Sequence, residues 1–217
     1  MDLSLSDQLI LYGGLVISVI LHEVSHGVVA LAFGDDTAKR AGRLTLNPIP
    51  HVDPVGSVLL PAMAVLSGYP VLGWAKPVPV NLSRLRNPRR DALFVGLVGP
   101  FTNFTLMVGA AVGTKVLIDV NTGAGLDPTG AYGLELIPSI FLSLAMVNLF
   151  LGVFNMLPIP PLDGSSLIER VVPHQHLGTW HRFRPYGFLV IFAGLFLFDV
   201  FGTIIQPFQE RLFDFIV

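Results

Sequence analysis

The sequence predicts an all-α membrane protein: a polytopic helical bundle of about four full transmembrane helices plus one re-entrant or interfacial segment, five to six membrane segments in all. Three observations carry this. Of 217 residues, 52 % are hydrophobic, and the mean hydropathy is +0.68. Only 13 % are charged, about half the 25 % of a soluble domain and too little to solvate a globule of this size. The apolar residues also gather into runs close to the roughly 20 residues that a spanning helix needs. High apolar content with a net charge of −2 excludes disorder. A pI of about 6.3 argues against a nucleic-acid partner, which would want a basic face. With no cysteine, disulfide scaffolds, thiolate metal sites and a cysteine nucleophile drop out. Residues 1–217 read as a single membrane domain.

The first run gives a helix over about 9–33. It follows an acidic head (Asp2, Asp7) rather than a basic one and carries ionisable groups at its centre, so it is not a cleavable signal. The second, about 55–72, is short and contains Pro61, Gly68 and Pro70. Three further helices follow over about 92–118, 134–157 and 185–205. Lys and Arg in short loops stay cytoplasmic. Lys39, Arg40 and Arg43 lie before the short run, and Lys76, Arg84, Arg86, Arg89 and Arg90 after it, whereas residues 119–133 hold Asp119 and Asp127 and no cation. Both basic loops fall on one side only if the 55–72 run dips in and returns. The expected topology therefore has the N-terminus outside and the acidic loop external.

The chemistry concentrates at His22-Glu23-Val24-Ser25-His26 in the first helix. Residues i and i+4 share a helix face, so both imidazoles can approach one metal, with Glu23 beside them as a base for water. The pentapeptide sits between apolar stretches, and an ionisable residue at membrane depth costs about 2.5–3.5 kcal/mol and marks function. A catalytic zinc site wants three protein ligands and an open position. Ala32 stands where a third His would complete one familiar extension, which leaves Asp53 and Asp163 as carboxylate candidates. Asp163 ends the stretch Asn155-Met156-Leu157-Pro158-Ile159-Pro160-Pro161-Leu162-Asp163-Gly164, where three prolines forbid continued helix. Irregular backbone at that depth is tolerated where it lines a cavity or is buried in protein. The competing reading is an Asp-Gly turn that caps a helix end.

In these residues the chain resembles the site-2 proteases, intramembrane zinc metallopeptidases. The likeness rests on His22 to His26, on Gly99-Pro100-Phe101-Thr102-Asn103, on the Asn155 to Gly164 stretch, and on Asn47-Pro48-Ile49-Pro50-His51-Val52-Asp53-Pro54-Val55-Gly56. It implies one Zn2+ per chain held by His22, His26 and Asp163, Glu23 as general base, and Asn155 positioning substrate or the oxyanion. It also implies a multi-pass protein of a prokaryotic cell membrane, with its active site toward the cytoplasm and membrane-protein segments as substrates. Ser165 departs from the second glycine that many relatives carry there, and the loops leave no room for a PDZ insertion or a C-terminal regulatory domain. The competing function is a membrane metal transporter or sensor using the same cluster, although no repeated halves are visible in the sequence.

Weaker signals complete the reading. In Trp74-Ala75-Lys76-Pro77-Val78-Pro79-Val80-Asn81, proline alternates with apolar residues. Such an edge can add an unwound substrate as a strand, or it can be a rigid polyproline-like loop. Trp74, Val78 and Val80, with Asn103, are the candidate substrate contacts. His51 and Asp53 are a second metal site, a gate pair or a turn. His174, His176 and His181, beside Arg182 and Arg184, read as a solvated or headgroup-facing cluster.

Overall fold

A computed structural model describes residues 5–67, 75–123, 136–197 and 200–216. Among them the chain is helical and holds no strand. Helix α1 covers Leu5–Ala32, α2 Thr37–Arg40, α3 Leu60–Ser67, α4 Pro88–Gly123, α5 Leu136–Met156, α6 Ser165–Val171, α7 His174–Leu197 and α8 Val200–Ile216. Among the described residues, three helical stretches are long and apolar enough to cross a membrane: Leu9–Ala32, Pro88–Val120 and Ile137–Met156. These are the first, third and fourth of the expected runs, and they make the chain an integral membrane protein.

One of the remaining runs differs from a simple span. The second folds as a π-helical turn, Pro54–Leu59, that continues into the eight residues of α3. Its described part rises about 21 Å, short of a hydrocarbon core of about 30 Å; residues 68–72 lie outside the described residues. Over 185–205 the described residues are helical: α7 starts eleven residues earlier than expected, at His174, and is described to Leu197, α8 is described from Val200, and residues 198 and 199 lie outside the described residues.

Lipid gives helices little hydrophobic reason to associate, so they meet where small residues admit close approach. Ala110, Ala111 and Ala145 are buried where α4 and α5 meet, with Ile205, Leu212 and Ile216 of α8 against them. A methyl on Gly113 would strike the Phe141 ring at 2.6 Å, and one on Gly152 the Phe104 ring at 2.8 Å. Leu144 of α5 reaches within 3.1 Å of the same point on Gly14 of α1. α1, α4 and α5 thus form one bundle, and large apolar side chains such as Ile17, Phe101, Val108 and Val116 are left exposed around it, as lipid contact requires.

Candidate metal centre

His22 and His26 lie one turn apart on α1, only 6 % and 8 % exposed. Each imidazole is fixed from behind. His22 Nδ1 is 2.6 Å from Asn103 Oδ1, and His26 Nδ1 is 2.5 Å from the Val95 carbonyl. Both partners on α4 accept, so both Nδ1 atoms carry the proton and both Nε2 atoms present a lone pair.

Asp163 arrives from the other side. Its loop is tied to the end of α5 by the Gly164 amide donating to the Asn155 carbonyl at 2.7 Å. A methyl at Gly164 would lie 2.2 Å from the Met156 carbonyl, so only glycine lets the chain fold back so tightly. Gly96 likewise leaves space for Ser166 and the Asp163 carbonyl. Asp163 Oδ2 then sits 2.9 Å from His22 Nε2 and 3.3 Å from His26 Nε2, and the two Nε2 atoms are 3.0 Å apart.

Three lone-pair donors converge with no proton left to place between them, and Asp163 Oδ2 is buried without a hydrogen-bond donor. A cation resolves that arrangement. Ligands about 2.0–2.2 Å from a tetrahedral zinc stand roughly 3.3 Å from one another, close to the separations found. The cradle is closed by Gly99, where a methyl would lie 2.5 Å from His22 Cε1 and from His26 Nε2. His22, His26 and Asp163 are the one such group among the described residues, and they fit zinc.

Glu23, next to His22, is half-buried, and its Oε2 accepts from the Val78 amide at 2.7 Å. Val78 belongs to the proline-rich segment, which is held in place by separate bonds rather than by a ladder. Arg43 donates to the Lys76 carbonyl at 2.5 Å, the Lys76 backbone amide donates to the His51 carbonyl at 2.9 Å, and the Asn81 backbone amide donates to the Asp35 carboxylate at 2.6 Å. Val78 is buried against α1, and Val80 packs beside Ala30, Leu85 and Val95. Trp74 lies outside the described residues. Asp35 is fully buried and also accepts from the Thr37 amide and hydroxyl. Burial alone would raise its pKa, but the bonds from Thr37 and Asn81 and the Arg84 charge outweigh that and hold it below the ordinary carboxyl range.

Other expected site residues fall elsewhere. Asn103, expected to touch substrate, is 0 % exposed with both amide atoms engaged, so its place is behind His22. The Asn155 side chain donates to the Leu151 carbonyl of its own helix at 3.0 Å. Asp53 does not approach the two imidazoles. It caps the π-helical turn, accepting from Val55 and Gly56 at 3.0 and 2.8 Å. His51 is 1 % exposed, bonds the Thr45 carbonyl through Nε2 at 2.9 Å, and lines a cavity of about 80 Å³ against α1. The pair shapes the turn into the short run, and no metal group forms around it among the described residues. His176 is exposed on α7, and the side chains of His174 and His181 are outside the described set. The reading of the sequence missed Val95, Asn148 and the role of Gly99. The last had a signal, a glycine inside an apolar helix directly before proline.

Comparison with known proteins agrees with this chemistry. The family described as Peptidase family M50 matches residues 127–198, the part that carries Asn155 and Asp163. YwhC of Bacillus subtilis (strain 168), named as a candidate zinc metalloprotease, is 39 % identical over 195 residues, which cover 89 % of this chain and 82 % of that protein. Rip2 of Mycolicibacterium smegmatis, named likewise, is 33 % identical over 84 % of this chain and 65 % of its own length. Rip2 of Mycobacterium tuberculosis is 32 % identical over 79 % and 60 %. The chain thus spans less than two thirds of the mycobacterial relatives. No solved structure matches it. On its likeness to YwhC, and with a His-His-Asp group that fits zinc, the chain belongs to peptidase family M50, the zinc metallopeptidases of the site-2 protease kind.

Proposed function

We propose that this protein is an intramembrane endopeptidase that hydrolyses peptide bonds within or next to transmembrane segments of other membrane proteins, with His22, His26 and Asp163 as zinc ligands and Glu23 as general base. What carries the reading is the position of the three converging donors: His22 lies inside the stretch Leu9–Ala32, which is apolar enough to cross a membrane. Bound there, zinc is a Lewis acid that polarises a carbonyl and makes water nucleophilic near neutral pH.

The chain's own groups supply the rest. Glu23 takes the proton from the attacking water and delivers it to the leaving amine, and the Val78 amide fixes the carboxylate while it does so. An oxyanion needs a preorganised donor. Asn155 serves once its amide leaves Leu151, a step that a bound substrate would have to induce. A substrate helix hides its peptide bonds, so the segment must unwind first, and the proline-rich segment beside Glu23 offers an edge for it. The expected topology has the N-terminus outside, the short run re-entrant and the site toward the cytoplasm. The transporter or sensor reading gives way to the family assignment.

The test is to present purified protein in detergent with a panel of transmembrane peptides and to map the cuts by mass spectrometry. Cuts inside or within a few residues of the apolar segment are expected. Cleavage of soluble, unstructured peptides alone would contradict the reading.

A further inference from the structure

Behind the metal centre, a chain of buried amides joins the three helices of the bundle. His22 Nδ1 meets Asn103 Oδ1 at 2.6 Å, Asn103 Nδ2 donates to Asn148 Oδ1 at 2.8 Å, and Asn148 Nδ2 donates to Ser18 Oγ at 2.8 Å and to the Leu144 carbonyl at 2.9 Å. Asn103 is 0 % exposed, and Ser18 and Asn148 are 1 %. Four polar side chains so placed, with no water to substitute, must each satisfy the next.

The direction of every bond follows from one end of the chain. A backbone carbonyl only accepts, so Leu144 requires the NH2 of Asn148 on its side, and Asn148 Oδ1 then faces Asn103. That oxygen also only accepts, so Asn103 turns its NH2 toward it and its own Oδ1 toward His22. Oδ1 demands a proton on His22 Nδ1, and a neutral imidazole protonated there has its lone pair on Nε2, the atom beside Asp163. Reversing either amide would set two oxygens or two NH2 groups face to face. His26 reaches the same tautomer directly, from the Val95 carbonyl. The Ser18 hydroxyl can donate or accept, so it carries no polarity of its own.

We propose that Asn148 is a positioning residue of the metal centre: through Asn103 it relays the polarity of the Leu144 carbonyl to His22 and keeps His22 Nε2 free of a proton for zinc. This rests on the reading of His22 as a zinc ligand. Asn148 touches neither the metal-facing atoms nor any substrate, so the experiment reads metal binding and tautomer rather than turnover.

Asn148→Leu, branched at Cγ like asparagine but without hydrogen-bonding atoms, frees Asn103 to rotate. Chelator competition is expected to show zinc affinity lower by about 10-fold or more, the usual cost of losing an outer partner of a ligand. In the Asn103→Leu background the same change should add less than about twofold, because the relay is already cut. Ser18→Ala should cost less than about threefold, since the Leu144 carbonyl still orients Asn148. Nitrogen-15 spectra of histidine-labelled, zinc-free wild type should show His22 protonated on Nδ1, a result that needs no variant to fold. The relay is overturned if His22 Nδ1 carries no proton there, if Asn148→Leu binds zinc within twofold of wild type, or if its cost persists in full without Asn103. Wild type that binds no zinc, or His22→Ala that binds it normally, would overturn the ligand assignment itself and the relay with it.

Discussion

Gly99 is the position where the metal-site geometry makes its sharpest demand. In Gly99→Ala the new methyl would stand 2.5 Å from His22 Cε1, 2.5 Å from His26 Nε2 and 2.6 Å from His22 Nε2. Ordinary contacts between such atoms are about 3.5–4.0 Å, so both rings must withdraw by about 1 Å. They have no free room to do so, because Asn103 and the Val95 carbonyl hold their inner edges. Metal–ligand distances tolerate about 0.2 Å, so a displacement of about 1 Å costs at least the 10–100-fold in affinity that losing an outer partner of a ligand does. Zinc affinity, read by chelator competition, is therefore expected to fall by about 10- to 100-fold or more. The fold should hold, because the methyl meets ring tips rather than backbone and alanine is about 1 kcal/mol better than glycine inside a helix. The zinc-free variant should therefore still unfold cooperatively, the helix gain of about 1 kcal/mol offsetting part of the roughly 1–3 kcal/mol that overpacking costs. A Gly99→Ala protein that binds one zinc with wild-type affinity would refute the reasoning.

Other consequences follow from the same contacts. Asp163→Asn removes the charged donor that closes the group; its zinc affinity should fall further than the 10–100-fold typical of an outer partner, as equilibrium dialysis would show. Val78→Pro deletes the amide that holds Glu23 Oε2 at 2.7 Å. Peptide cleavage should slow by about 10- to 100-fold while zinc content stays at wild type, and unchanged cleavage would return the proline-rich segment to a mere loop. Asp35 has a lowered pKa in the folded state, so its stabilisation is fully present above its unfolded value of about 3.9 and is lost as pH falls through the folded value. Wild type should therefore lose thermal stability over that acid range, whereas Asp35→Asn should already lack about 1–3 kcal/mol at neutral pH and change less below it.

What the sequence made legible is what local spacing controls. Runs of apolar residues announce membrane helices, and His22 and His26 share a face because of the helix repeat alone. Asp163 required more. Spacing left it level with Asp53, and only the family likeness of the proline-rich stretch preferred it before the folded loop brought it to the imidazoles. The rest of the centre is non-local. Nothing in the interval from Ser18 to Asn103 to Asn148 shows that three helices meet there, so Asn103 read as a substrate contact and Asn148 did not stand out. The apolar run over 185–205 is helical wherever it is described, but its helix starts earlier, at His174, because the polar residues 174–184 carry no apolar signal that would extend the run toward the N-terminus.

In the proposed function, Glu23 performs the chemistry at a centre built by His22, His26 and Asp163. Wild type and Glu23→Gln should be compared for zinc content and for cleavage of transmembrane peptides in detergent. One zinc per chain is expected in both proteins, with cleavage slowed by about 100- to 10,000-fold in the variant. Cleavage by Glu23→Gln at the wild-type rate, with zinc in place, would contradict it.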